Sequence, residues 1–215
     1  MEQNATQHYL LSFIEEKDPL ILQMEQYANE HHVPIMDKLG MEFMLQLLRL
    51  IEPTSILEIG AAIGYSAIRM AKSVHANVVT IERDKERYDE AILNINQADL
   101  QDTISLIFGD ALETSLQVKQ HGTFDVIFID AAKGQYQRFF ELYEPLLNEG
   151  GVIITDNVLF HGLVVEENIE KKRLRSLVNK IKNYNEWLMA HDGFDTTIFP
   201  IGDGVAVSKK RGERK

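Results

Sequence analysis

The sequence predicts a doubly wound, mostly parallel α/β sheet with an antiparallel C-terminal hairpin, and three observations carry that reading. Five short apolar runs, Ile56–Ile59, Val78–Ile81, Ile104–Phe108, Val126–Ile129 and Val152–Thr155, are separated by helix-length stretches. That is the rhythm of parallel strands covered on both faces by crossover helices. The first run opens into Gly60-Ala61-Ala62-Ile63-Gly64 and a helix beginning near Ser66, a strand–loop–helix of the nucleotide-binding kind. Two last strands, Thr196–Phe199 and Val205–Ser208, flank Ile201-Gly202-Asp203-Gly204, a glycine turn that implies a hairpin at the sheet edge.

Before the sheet, residues 1–52 read as helices, and 53–215 as the α/β core of a single domain, 1–215. Asp18-Pro19 is the cap and first-turn proline of a helix carrying Leu20, Met24, Tyr27 and Ala28 on one face. Met41–Ile51, apolar at Phe43, Met44, Leu47, Leu48 and Ile51, is a second amphipathic helix stopped by Pro53. Helices near 66–74, 84–98 and 135–147 separate the strands. A helix at about 168–190 sets Leu174, Leu177, Ile181, Tyr184 and Leu188 at three- and four-residue steps, so it faces the sheet with its bases outward.

A chain of 215 residues can bury about 70% of its unfolded surface in one core. No apolar run reaches the roughly 18 residues of a membrane span, and the N-terminus has neither the basic flank nor the apolar stretch of a signal peptide. The absence of cysteine excludes disulfides, thiolate metal sites and cysteine nucleophiles, and makes a cytoplasmic home the simplest expectation. The net charge of −11 is unevenly spread. Bases concentrate at Lys171, Lys172, Arg173, Arg175, Lys180 and Lys182 on the late helix, and at Lys209, Lys210, Arg211, Arg214 and Lys215 in the tail. Such clusters read either as a nucleic-acid footprint or as a solvated helix face and a frayed tail.

The glycine spacing favours one cofactor. A dinucleotide turn reads G-x-G-x-x-G and brings a pyrophosphate against a helix N-terminus. Here the spacing is G-x-x-x-G, and Glu58 stands where it repels a phosphate but can hold an ammonium through a water or a backbone-ordering contact. S-adenosylmethionine, a sulfonium nucleoside bearing an amino acid and no phosphate, fits this pattern, and a nicotinamide-dependent oxidoreductase does not. Glu82, ending the second strand, is placed to accept both ribose hydroxyls, and Asp110, in Gly109-Asp110-Ala111, to accept from the adenine amino group. The next two strands end at Asp130 and at Asp156-Asn157. Any one of these residues also reads as a helix cap, but ligands of open parallel sheets bind beyond the carboxyl ends of strands, where all of them converge.

Asp130, Asp156 and Asn157 offer hard oxygen ligands suited to Mg²⁺ or Mn²⁺. Lys133 reads equally as a general base beside that ion and as an ion-pair partner of Asp130 or Asp156. His31-His32 read as surface residues or helix-end caps. No G-x-S-x-G elbow, P-loop or H-E-x-x-H pair is present, so hydrolase, NTPase and metalloprotease readings lack their parts.

Together Leu57-Glu58-Ile59-Gly60, Gly64-Tyr65-Ser66, Glu82, Gly109-Asp110-Ala111, Phe128-Ile129-Asp130-Ala131-Ala132-Lys133 and Thr155-Asp156-Asn157 resemble the metal-dependent O-methyltransferases of the catechol and caffeoyl-CoA type. Glu30-His31-His32-Val33-Pro34-Ile35-Met36, Asp130 to Gln137 and Asp156-Asn157-Val158-Leu159-Phe160 are similar to the bacterial tRNA 5-hydroxyuridine methyltransferases, which form 5-methoxyuridine at the wobble position. The resemblance implies a class I, Rossmann-like S-adenosylmethionine-dependent fold, a homodimer and the tRNA anticodon arm as partner. It implies a cofactor site of Met36, Glu58, Gly60, Tyr65, Ser66, Glu82, Asp110, Ala111 and Asp130. It implies Mg²⁺ on Asp130, Asp156 and Asn157, with Lys133 and Asp130 as the catalytic pair. Catechol presents two vicinal oxygens and 5-hydroxyuridine a hydroxyl beside O4, so one octahedral ion can chelate either. The expectation is methylation of tRNA 5-hydroxyuridine. The alternative is a small-molecule catechol or caffeoyl-CoA-type acceptor, and after it a noncatalytic RNA- or nucleotide-binding module.

Overall fold

The computed structural model describes residues 5–212, so Arg214 and Lys215 of the basic tail lie outside the described residues. Seven strands form one sheet in the order β3-β2-β1-β4-β5-β7-β6, from β1 (Ser55–Ile59), β2 (Asn77–Glu82), β3 (Ile104–Phe108), β4 (Phe124–Ile129), β5 (Leu147–Thr155), β6 (Phe194–Phe199) and β7 (Val205–Lys210). The first five are parallel, and the β6–β7 hairpin joins antiparallel through β7 against β5. Of the described helices, α1 (Ala5–Leu11), α2 (Pro19–Glu30) and α3 (Lys38–Ile51) precede the sheet. Between and after its strands come α4 (Tyr65–Val74), α5 (Lys85–Gln97), α6 (Ser115–Lys119), α7 (Tyr136–Tyr143) and α8 (Lys172–Met189).

The alternation of each central strand sorts its side chains into two cores. Ile56, Phe128 and Ile154 pack on one face with Met24, Met41, Met44 and Leu48 of α2 and α3 and Ile68 of α4. Leu57, Ile127 and Ile153 pack on the other with Phe140 and Tyr143 of α7 and Leu188 of α8. Each such fully buried side chain contributes about 1.5–3 kcal/mol over its exposed state.

Several boundaries differ from the sequence expectation. Helix α3 begins at Lys38 rather than Met41 because Asp37 caps it, accepting from the Leu39 and Gly40 N–H groups. The helix expected at 135–147 ends at Tyr143, where Pro145 permits only a 3₁₀ turn, and β5 starts at Leu147 instead of Val152. Helices α1 and α6 bury none and one of their residues respectively, so they left no apolar period to read. The frayed tail is a correction of a different kind. Lys209 and Lys210 belong to β7, where their ammonium groups donate to the Gly150 and Leu147 carbonyls, and Arg211 pairs with Asp195 at 2.7 Å.

The parallel register sets the strand ends side by side. Ile59 pairs with Ile81 and Ile129, and Ile129 with Thr155. The following residues continue the ladder, Asp130 N–H donating to Ile59 O at 3.0 Å and Asp156 N–H to Ile129 O at 3.1 Å. Gly60, Glu82, Asp130 and Asp156 therefore stand in one row at the carboxyl edge of the sheet.

Candidate active site

A crevice of about 290 Å³ opens along that row. Met36, Gly60, Tyr65, Ser66, Glu82, Asp110, Ala111, Asp130, Lys133 and Asn157 all line it. Two of the sequence-derived candidates do not: Asp156 and Glu58 are fully buried.

Close approach explains the first glycine. Gly60 has φ +103°, and a Cβ there would lie 2.1 Å from the Asp130 carbonyl oxygen, so only glycine lets the turn after β1 pass the end of β4. Ala62, in the same turn, holds φ +45° and donates its N–H to Glu82 Oε2 at 2.8 Å. Glu82 Oε1 accepts from the Arg83 and Asp84 N–H groups, both at 2.8 Å. Three backbone N–H groups thus hold the Glu82 carboxylate in place, and both oxygens keep acceptor capacity in part.

Glu58 does not itself line the crevice. Strand alternation turns its carboxylate away from the crevice, toward α4 and β2, where it accepts from the Ser66 hydroxyl and from Thr80 Oγ1 at 2.5 Å. Burial lifts it to about 7, against those two hydrogen bonds, with Asp130 and Glu82 adding to the lift. Its reach into the crevice is through Ser66, which it orients. Tyr65 presents its ring to the crevice while its hydroxyl bonds Glu25 at 3.0 Å and Arg69 at 2.9 Å, tying α4 to α2. Asp110 spends Oδ1 on the Leu112 N–H at 2.9 Å, and Arg83 approaches Oδ2 at 3.5 Å.

At the other end, burial raises Asp130 to about 6, against the pull of Lys133 and with a further lift from Asp203. Burial, then the Asp130 charge, raise Asp156 well above the carboxylate range. Asp156 Oδ1 accepts from the Asn157 N–H at 2.7 Å, whereas Oδ2 is buried with no hydrogen-bond partner. Asp156 Oδ2 is thus an unpaired acceptor near Asp130, which lines the crevice. Asn157, at φ +60°, turns its amide oxygen onto the Lys133 ammonium, so that oxygen already faces positive charge. Among the described residues no three His, Cys, Asp or Glu side chains gather to hold a metal, so a metal here would take two carboxylates, one amide oxygen and outside ligands. Lys133 forms no ion pair with Asp130 or Asp156 among the described residues. Its ammonium also sits 5.7 Å from the centre of the Phe160 ring.

Pro34, Ile35, Arg83, Arg87 and Phe139 line the crevice and were not among the candidates. The two arginines had a readable signal, since Arg83 follows Glu82 and Arg87 sits in the first turn of the helix capped by Asp84. Pro34 and Ile35 had one as well, as neighbours of Met36. Phe139 looked like any core residue. The basic face of α8 is exposed while Val178, Ile181, Tyr184 and Leu188 are buried, and the Lys180 stem lies against Gly134, next to Lys133. Of the described C-terminal bases, Lys209 pairs with Val152, toward the far end of β5 from Asp156.

Sheet order, glycine turn and acidic strand ends define the Rossmann-like fold of S-adenosylmethionine-dependent methyltransferases. The family model described as O-methyltransferase matches residues 12–211, and the chain belongs to that family. It is 29% identical over 215 residues to the catechol O-methyltransferase of Niastella koreensis, covering 95% of this chain and 96% of that one. A Staphylococcus aureus structure provisionally named a caffeoyl-CoA O-methyltransferase superposes with a TM-score of 0.91 at 37% identity, over 96% of this chain and all of that one. A Bacillus cereus O-methyltransferase, solved with S-adenosylhomocysteine, superposes with a TM-score of 0.82 at 28% identity, over 97% and 98% of the two chains. The protein is accordingly an S-adenosylmethionine-dependent O-methyltransferase. Among the described residues no helix is long and apolar enough to cross a membrane.

Proposed function

We propose that this enzyme methylates a hydroxyl flanked by a second oxygen, using a divalent metal held by Asp130, Asp156 and Asn157. The single observation that carries the reading is the unpartnered, buried Asp156 Oδ2 beside Asp130, at the end of the crevice away from Glu82. Mg²⁺ or Mn²⁺ there would supply chelation of two acceptor oxygens and a lowered hydroxyl pKa, and S-adenosylmethionine would supply the methyl group. The chain's own residues do the rest. Ser66, Glu82 and Met36 fix the cofactor end, Asp130 borders both ends, and Lys133, acting as the neutral amine, takes the hydroxyl proton on its Nζ to become the ammonium.

The names of the curated relatives favour a small catechol- or caffeoyl-CoA-type phenol as acceptor. A second reading, tRNA 5-hydroxyuridine methylated to 5-methoxyuridine at the wobble position, is favoured by the basic face of α8 beside the Lys133 turn and by the motif resemblance. A homodimer engaging the anticodon arm belongs to that reading. Methyl transfer from labelled S-adenosylmethionine to catechol, caffeoyl-CoA and hypomodified tRNA, followed by nucleoside mass spectrometry, decides between them. Turnover of catechol or caffeoyl-CoA alone supports the first; 5-methoxyuridine formation at far higher kcat/KM supports the second. Failure with all three overturns both.

A further inference from the structure

A second buried oxygen lacks a partner near Asp156: the Tyr136 hydroxyl. Tyr136 opens α7 directly after the Lys133–Gln135 turn and is 1% exposed. Its ring centre is 5.4 Å from that of Tyr184, whose hydroxyl lies 2.9 Å from the hydroxyl of Thr155, the residue before Asp156. The next residue of α8, Asn185, donates its Nδ2–H to the Val158 carbonyl at 2.8 Å. Tyr184 and the Asn185 amide nitrogen thus bond residues 155 and 158, whereas the Asn185 amide oxygen, like the Tyr136 hydroxyl, is buried without a partner. A buried hydroxyl without a partner is costly. Burial, then the charges of Asp130 and Asp156, raise Tyr136 well above the ordinary phenol range, so it stays a proton donor.

We propose that Tyr136 is a positioning residue of the metal centre, its hydroxyl donating a hydrogen bond to an oxygen of the ion's ligand shell once Asp130, Asp156 and Asn157 hold a divalent cation. This rests on the metal reading above. It explains why a donor and an acceptor are both left unpaired in the same buried region, since an ion that draws Asp156 Oδ2 or a water into place completes both. Groups that hold metal ligands from outside typically set affinity by about 10–100-fold.

The test is Tyr136→Phe in the full chain, compared with wild type by thermal melting without metal and by Mn²⁺ titration followed by electron paramagnetic resonance. Removing an unpaired hydroxyl should leave the metal-free melting temperature unchanged or raised, while Mn²⁺ affinity falls about 10–100-fold. Tyr184→Phe, which loses the Thr155 bond, should instead lower the metal-free melting temperature. Equal Mn²⁺ affinity in Tyr136→Phe and wild type would overturn the proposal while leaving the metal reading intact. A Tyr136→Phe protein that melts far lower without metal, or fails to fold, would overturn it too, because the hydroxyl would then have a structural partner. Wild type that takes up no Mn²⁺ would remove the metal reading and this inference with it.

Discussion

The two ends of the crevice are built on opposite principles. At the Glu82 end, polar groups satisfy one another: Glu82 is held by three backbone N–H groups, and Glu58 by the Ser66 and Thr80 hydroxyls. At the Asp156 end they do not. The Asp130 charge raises the buried Asp156, and Asp156 Oδ2 and the Tyr136 hydroxyl are unpaired, while Asn157, Phe160 and His161 hold left-handed backbone, as Ala62 does at the other end. Strain and unpaired charge persist only where surrounding structure enforces them, and they gather where a ligand relieves them. The first end is a finished frame that offers a ligand its spare directions. The second leaves an acceptor and a donor without partners, which the proposed cation would supply.

The largest effect should come from breaking the unfinished end. Asp156→Ala removes the orphaned acceptor and should abolish turnover and Mn²⁺ binding while leaving S-adenosylmethionine affinity within a few-fold of wild type, as read by calorimetry. A matching loss of cofactor affinity would mean that the two ends are not separable. Lys133→Ala should lower the rate about 10²–10⁴-fold near neutral pH with cofactor binding little changed. A loss confined to cofactor binding would remove its role as base. At the finished end, Gly60→Ala forces a Cβ against the Asp130 carbonyl at positive φ and should cost about 1–3 kcal/mol or more of stability, measured by denaturant unfolding.

Glu58 tests the finished end more finely. Its carboxyl is raised from 4.5 to about 7, so the folded protein holds this proton more tightly than the unfolded chain does. Stability from this group is full below about pH 4.5 and is lost as pH rises toward 7, by roughly 3 kcal/mol in all. Glu58→Gln should flatten that slope, and an unchanged slope would show that the carboxyl is not the source. The smallest effect belongs to the surface. Neutralising Lys171, Lys172, Arg173 and Arg175 should leave methylation of a free catechol unchanged. If tRNA is the acceptor, it should flatten the salt dependence of binding by about 0.7–0.9 per lost phosphate contact.

The frame was legible because parallel strands write their ends into the chain: an apolar run closed by Glu82, Asp130 or Asp156 locates the crevice before any packing is known. What was not legible depends on partners distant in sequence. Glu58 looks like a ligand until Ser66 and Thr80 are brought against it, and its side of the strand decides the matter. Lys209 and Lys210 look like a frayed tail until β7 pairs with β5. Helix α1 buries nothing, so no pattern marked it.

Methyl transfer from labelled S-adenosylmethionine by protein stripped with EDTA and then titrated with Mg²⁺ or Mn²⁺, using catechol and hypomodified tRNA as acceptors, tests the proposed cation at the Asp156 end. The stripped protein should give no transfer and recover fully on adding the ion, for whichever acceptor is used. Undiminished transfer by the metal-stripped protein would contradict that proposal.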